Sequence, residues 1–246
     1  MLSFLKNHPF GVEAYFDFSL VLTFAVPKET LEGLIPPCLT LDMLDDKWAF
    51  VAVAMVQTRA LRPKGFPRIL GNDFFLIGYR IFTRYTSSAD KRLRGLYILR
   101  SDTNKRKMQF LGNIFTHYTY TTTDISTVVQ GTRMNIHSVG SQFEVIIDAG
   151  DKEVEMPVGS PFRDWKEARR FAGPLPFTFF YNAPAREVTI IEGRRENWYP
   201  EPVRVMSHEF AFLKGLGCEE AIMANAFMIR NIPYHWGKGK VEKWNG

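Results

Sequence analysis

Cysteine is scarce in this chain: two residues, Cys38 and Cys218, among 246. They form neither a CxxC pair nor a metal-ligand spacing, which excludes a thiolate metal motif and leaves a reduced, cytoplasmic protein as the simplest expectation. Histidine is nearly as scarce. His8, His117, His137, His208 and His235 are scattered, and nothing in their spacing demands a metal, so neither metal nor cofactor is expected. No window approaches 18 uncharged apolar residues, so no membrane-spanning helix is expected. The opening MLSFLKNHPFGVEAYF lacks a charged n-region followed by a continuous apolar stretch, which argues against a signal peptide. The HExxH, GxSxG, P-loop and GxGxxG signatures are all missing. So are repeats of solenoid period and linkers rich in Ser or Gly, and a single domain over residues 1–246 is expected. Charge of one sign is also modest. Thirty-one Lys and Arg against 26 Asp and Glu give +5, enough to steer anionic ligands but short of a nucleic-acid signature. The basic clusters at residues 90–95, 104–107, 168–170 and 193–195 read as solvated loops and helix faces.

What the chain has in quantity is aromatic and apolar residues. Hydrophobic residues make up 46% and aromatics 14%, with 21 Phe. That composition supports a sizeable core and favours half-buried pleated surfaces, so the fold class is mostly β (α+β) with a few short helices. Residues 18–26 read as a buried strand ended by Pro27, and residues 28–35 as a short helix stopped by Pro36 and Pro37. Residues 47–61 alternate Val51 and Val53 with Ala52 and Ala54, a pattern suited to a curved sheet. Residues 62–72 are a Pro- and Gly-rich loop. Residues 73–85 form a long strand in which Gly78 marks a bend or the close approach of another group.

A polar connection at 86–95 leads to a strand at 96–101. The period then changes to helical over 102–115, with Asp102 or Thr103 as cap. In the second half a hairpin turns across Gly140. A helix spans 160–173 with Ser160 as cap, Pro161 at the first helical position and Gly173 past the end. Strands follow at 176–182, 186–194, 202–213 and 225–232.

The segment FLGNIFTHYTYTTTDIS, residues 110–126, crosses from that helix into a strand crowded with hydroxyls and aromatics. In a strand His117, Thr119 and Thr121 share one face, and Tyr118, Tyr120 and Thr122 the other. The first face carries a histidine and two hydroxyls and is the expected ligand-facing one. Elsewhere, His208 and Glu209 point to opposite sides of their strand and make poor partners. No lysine lies in an apolar stretch that would desolvate it.

Three stretches carry a family resemblance. VPKETLEGLIPPCLTLD (26–42) resembles the strand–helix start of acetoacetate decarboxylase and its relatives. LRGLYILRSDTNKRKMQFLGNIFTHYTYTTTDI (93–125) and FFYNAPAREVTIIEGRRENWYPEPVRVMSHEFAFL (179–213) resemble the YqjF-like domain-of-unknown-function family of the same superfamily. Together the likeness covers roughly residues 16–236.

The resemblance implies a cone-shaped, largely antiparallel β-barrel with an internal cavity for a small organic ligand, and it leaves a homo-oligomer open. It does not carry the decarboxylase chemistry with it. Thr119 and Tyr120 fall where the paired lysines would be, Ala25 where an arginine would be, and Asp73 where the family keeps an acid in a central strand. With the Schiff-base lysine replaced, the expected function is binding of a small molecule. A lyase- or hydratase-like reaction on a carbonyl compound or organic acid is one form of it, and a non-catalytic or structural barrel is the alternative. His117 and Asp73 are the candidate catalytic residues, and Thr119, Tyr120 and Thr121 the candidate ligand contacts.

Overall fold

The computed structural model describes residues 3–151, 153–196 and 198–246; Met1 and Leu2 of the segment read for a signal peptide lie outside them. The chain is mostly strand. The elements in order are β1 (Val12–Pro27), α1 (Lys28–Glu32), β2 (Thr40–Leu41), β3 (Trp48–Pro63), β4 (Asn72–Thr86), β5 (Arg92–Thr103), α2 (Arg106–Phe115) and β6 (Tyr120–Thr122). Then come β7 (Ser126–Gln130), β8 (Arg133–Ser138), β9 (Phe143–Asp148), α3 (Trp165–Ala172), β10 (Phe177–Asn182), β11 (Glu187–Arg195), β12 (Glu201–Pro202), β13 (Arg204–Phe210), α4 (Ala211–Lys214), β14 (Ile222–Trp236) and β15 (Lys240–Lys243). Single 3-10 turns occupy Ser3–Asn7 and Arg68–Leu70.

The large sheet runs β12-β14-β1-β3-β4-β5-β10-β11-β15, and β14 also pairs with β11, so the sheet returns on itself. Its ladders are antiparallel except β10 with β5 and β6 with β5. A second sheet, β13-β9-β8-β7, covers part of the outer side.

The period-2 pattern explains this layering. On β4 the odd residues Phe75, Ile77, Tyr79 and Ile81 pack outward into the main core, against Ile136, Phe143, Val145 and Ile147 of the second sheet. The even residues Phe74, Leu76, Arg80 and Phe82 face inward. On β3 Val51, Val53 and Met55 face out, while Ala52, Ala54, Val56 and Thr58 face in. The alternation of bulky and small residues in β3 is thus a division between core and interior. On β1 the register against β3 slips between Phe16 and Phe18. This bulge changes which parity faces inward: Phe16 before it and Ser19 and Val21 after it all line the interior.

Several boundaries differ from the sequence-based expectation, each for a local reason. The strand at 96–101 begins earlier, at Arg92, because its first residues pair with Arg84–Thr86. Asp102 and Thr103 are buried in β5 and do not cap α2, which starts at Arg106 without a side-chain cap. Asp102 instead takes bonds from Arg100 and Ser141. The third helix is capped by Asp164, whose carboxylate accepts from Glu167 N at 2.7 Å. Ser160 lies outside that helix and bonds the Ala224 carbonyl. The strand expected through 213 stops at Phe210, where α4 begins. β14 is nearly twice as long as the 225–232 expectation, and β15 was not expected at all.

Candidate functional site

The inward face of the large sheet encloses a cavity of about 610 Å³, within the range of about 300–1,000 Å³ for small-molecule sites. One end is sealed by the buried side chains of Phe82, Ala172 and Leu175. At the other end Phe66 and Leu70 both line the cavity and stand 54% and 58% exposed, which marks the mouth.

Between the two ends lies Arg80. It projects from the middle of an apolar strand, beside a register slip between Tyr79 and Arg80 on the β5 ladder. Its guanidinium lies over Gly78: a Cβ at that glycine would stand 3.1 Å from Nε and 3.2 Å from Nη2. The glycine is therefore the close approach that the sequence pattern foresaw, and the approaching group is a cation. Arg80 Nε is buried and has no hydrogen-bond partner. Burial lowers its pKa; Tyr234, Tyr120 and Tyr118 oppose that shift, and Arg195 adds to it.

The tyrosines are set by their elements. Asn113 of α2 holds the Tyr120 backbone from both sides, accepting from its N–H at 2.7 Å and donating to its carbonyl at 2.9 Å. Gln109 accepts from Thr122 N and Oγ1. The α2 helix thus places β6, which pairs with β5 at Ser101–Thr103. A Cβ at Gly112 would run into the Tyr120 ring, so this helical glycine makes room for the aromatic. Thr116 Oγ1 closes the helix end on the Gly112 carbonyl and accepts from Tyr118 N. The Tyr118 hydroxyl is buried without a partner. Burial pushes the pKa values of both Tyr118 and Tyr120 up, so both are neutral hydrogen-bond donors near pH 7.

Across the cavity Arg195 donates to the carbonyls of Pro174 and Leu175 and to the Tyr234 hydroxyl. It also lies over the Trp198 ring, 4.8 Å from its centroid. Since Tyr234 accepts that bond, its own O–H is free to donate elsewhere. Arg195 belongs to a basic cluster expected to be solvated. Its neighbour Arg194 does stand outside, paired with Glu192, whereas Arg195 turns inward because it is one residue further along a strand.

Charge on the cavity wall is one-sided. Arg62, Arg80, Lys107 and Arg195 line it, and among the described lining residues there is no Asp or Glu. Arg62 is paired with Glu13 at 2.7 Å, Arg195 with carbonyls, and Lys107 is exposed. Arg80 is left beside the phenols of Tyr118, Tyr120 and Tyr234.

Of the residues singled out from sequence, Tyr120 is the one whose side chain lines the cavity. Thr119 and Thr121 are exposed and point away from it. The face of this segment that turns inward is Tyr118 and Tyr120, not His117, Thr119 and Thr121, because the larger aromatic surfaces take the buried side. Thr119 adopts a left-handed backbone with φ of 51°, and regular pairing begins only at Tyr120. His117 is half-buried outside the cavity wall. Its Nε2 meets Asn7 Oδ1 at 3.0 Å and its ring stacks on Phe180 with centroids 3.5 Å apart. Burial, then Lys6, lowers its pKa to about 4. Asp73 is exposed at the sheet margin, bonded to Arg59 and to Ala60 N. His117 and Asp73 share no partner and do not converge.

Arg80, Arg195, Tyr234 and His8 were missed. Arg80 had a readable signal, an arginine in an apolar strand on the same face as a glycine two residues earlier. His8 lines the cavity, its Nε2 is buried without a partner, and burial followed by His117 lowers its pKa to about 4. Among the described residues no group of three or more His, Cys, Asp or Glu gathers in a metal-binding arrangement. No described helix is long and apolar enough to cross a membrane.

The architecture is that of acetoacetate decarboxylase-like proteins. Acetoacetate decarboxylase from Legionella pneumophila superposes with a TM-score of 0.61 at 13% identity, over 96% of this chain and 89% of that one. An acetoacetate decarboxylase-like enzyme from Sphingomonas wittichii gives 0.58 at 12% identity, over 97% and 94%. The enduracididine biosynthesis enzyme MppR gives 0.56 at 9% identity, over 96% and 88%. At these identities the likeness is one of fold. No curated protein sequence matches the chain. The chain belongs to the DUF2071 family, described as an uncharacterized conserved protein, which matches residues 15–235.

Proposed function

We propose that this protein binds a small organic anion, with the ligand's carboxylate on Arg80 inside a cone-shaped barrel formed by the large sheet. The observation that carries the reading is Arg80, half-buried with its Nε buried and without a partner, in a cavity whose described lining holds no acid. An uncompensated buried charge costs several kcal/mol, and a carboxylate ligand offsets that cost while accepting bonds from the phenols.

Binding fits the site better than proton transfer. Burial moves His8 down to about 4 and Tyr118 and Tyr120 upward, away from the neutral range where general acids and bases work best. Schiff-base chemistry is not part of the reading. Among the described lining residues the lysine is Lys107, which is exposed, whereas such a lysine needs desolvation or a neighbouring cation in the site.

The test is calorimetric titration of wild type and Arg80→Met with carboxylic acids and their primary amides. Loss of a charge-assisted pair should weaken the acids by about tenfold to a hundredfold and leave the amides nearly unchanged. Equal affinity of the two proteins for every acid would end the proposal.

A further inference from the structure

We infer that the anion is a monocarboxylic acid with an apolar tail of about eight to fourteen carbons, its head on Arg80 and its tail running along β3 and β4 to the mouth; this rests on the anion-binding reading above. The paired registers lay out the path. Ala54 faces Gly78, Val56 faces Leu76, Thr58 faces Phe74 and Leu61 faces Asn72. Small residues therefore lie beside the guanidinium, and larger ones, apolar but for Thr58 and Asn72, wall the way outward. The way ends where exposed Phe66 and Leu70 flank the opening.

Two lengths bound the tail. From Gly78 to Asn72 is six residues of strand, about 20 Å at about 3.3 Å per residue. An extended alkyl chain advances about 1.3 Å per carbon, the projection of a C–C bond of about 1.5 Å, so that path spans about fifteen carbons. The cavity volume sets the second limit. At about 30 Å³ per water-sized group, 610 Å³ holds about twenty non-hydrogen atoms. A four-carbon keto acid, with about seven such atoms, would leave about two thirds of that space to water against apolar walls.

The experiment is titration at pH 7.5 with sodium butanoate, octanoate and dodecanoate below their micellar concentrations, and with 1-dodecanol. Trp198 and Trp236 both line the cavity, so tryptophan fluorescence reads occupancy. Affinity should rise by about fourfold for each added methylene that leaves water. Dodecanoate should bind at least tenfold more tightly than dodecanol in wild type, with that preference lost in Arg80→Met. Butanoate binding as tightly as dodecanoate, both still dependent on Arg80, would overturn the tail and leave the anion site standing. Dodecanoate binding equally to wild type and Arg80→Met would overturn the anion site itself. No binding of any acid to wild type would remove both.

Discussion

His8 shows how one buried side chain shapes the response of the protein to acid. It is 6% exposed, its Nε2 has no partner, and its pKa lies near 4 against about 6.5 in an unfolded chain. Between those values the unfolded chain binds more protons than the folded one, so stability rises with pH through that window. The contribution is complete above about pH 6.5 and is lost as pH falls toward 4, to a total on the order of 3 kcal/mol. Half-buried His117 acts in the same direction. Urea unfolding from pH 4 to 7.5 should show a falling stability on the acid side, and His8→Gln should flatten the slope. A slope unchanged by that substitution would remove His8 as its source. Nothing in the local sequence announces this residue: it sits in a short N-terminal stretch and is buried only because residues 3–10 lie against α2, with His8 N bonded to the Phe115 carbonyl and Gly239 N to the His8 carbonyl.

At the scale of elements, the sequence was legible where one rule acts alone. Residues 73–85 and 47–61 were expected as strands, and they are Asn72–Thr86 and Trp48–Pro63, because long runs of alternating apolar residues have few other uses. It was ambiguous where two rules compete. Ser160-Pro161 and Asp164-x-x-Glu167 are both helix-start signals, and packing chose the second when Ser160 was taken by the Ala224 carbonyl. The α2–β6 junction posed the same problem in another form. Burial alternates along this segment although regular pairing begins only at Tyr120, and the strand period held no information on which side turns inward, since tyrosine and threonine both suit a sheet. The junction carries strain as well, for Thr119 is β-branched at positive φ, a conformation that costs about 1–2 kcal/mol. Thr119→Gly should therefore raise stability by about 0.5 kcal/mol, after the added freedom of the unfolded chain is subtracted. Denaturant midpoints check this, and a loss of stability would show that the side chain is needed where it stands.

For the molecule as a whole, the pairings that set the topology are the least local ones. β11 meets β14 through Gly193–Arg195 and Tyr234–Trp236, and β10 runs parallel to β5 through Phe177–Phe179. No period in the sequence encodes either contact, so the resemblance to a known superfamily carried more of the architecture than the pattern did. The proposal of one domain over the whole chain has its own check. Limited proteolysis should cut first within residues 64–70, all exposed, and release no stable half. Dodecanoate should slow that cut, because Phe66 and Leu70 flank the mouth. Two independently folded fragments would overturn the one-domain reading.

The wall between cavity and outer core is a single thickness of backbone, with Arg80 and Leu76 on one side of β4 and Ile77 and Tyr79 on the other. Interior shape and outer packing are consequently two readings of the same pleat. On the proposed anion site, a methyl group gained or lost beneath the second sheet would act on the strand that presents the guanidinium, so ligand preference would drift through substitutions that never touch a ligand. In such a shell, the residues that would tune the proposed recognition are spread over both faces of the sheet, and only one of those faces would meet the ligand.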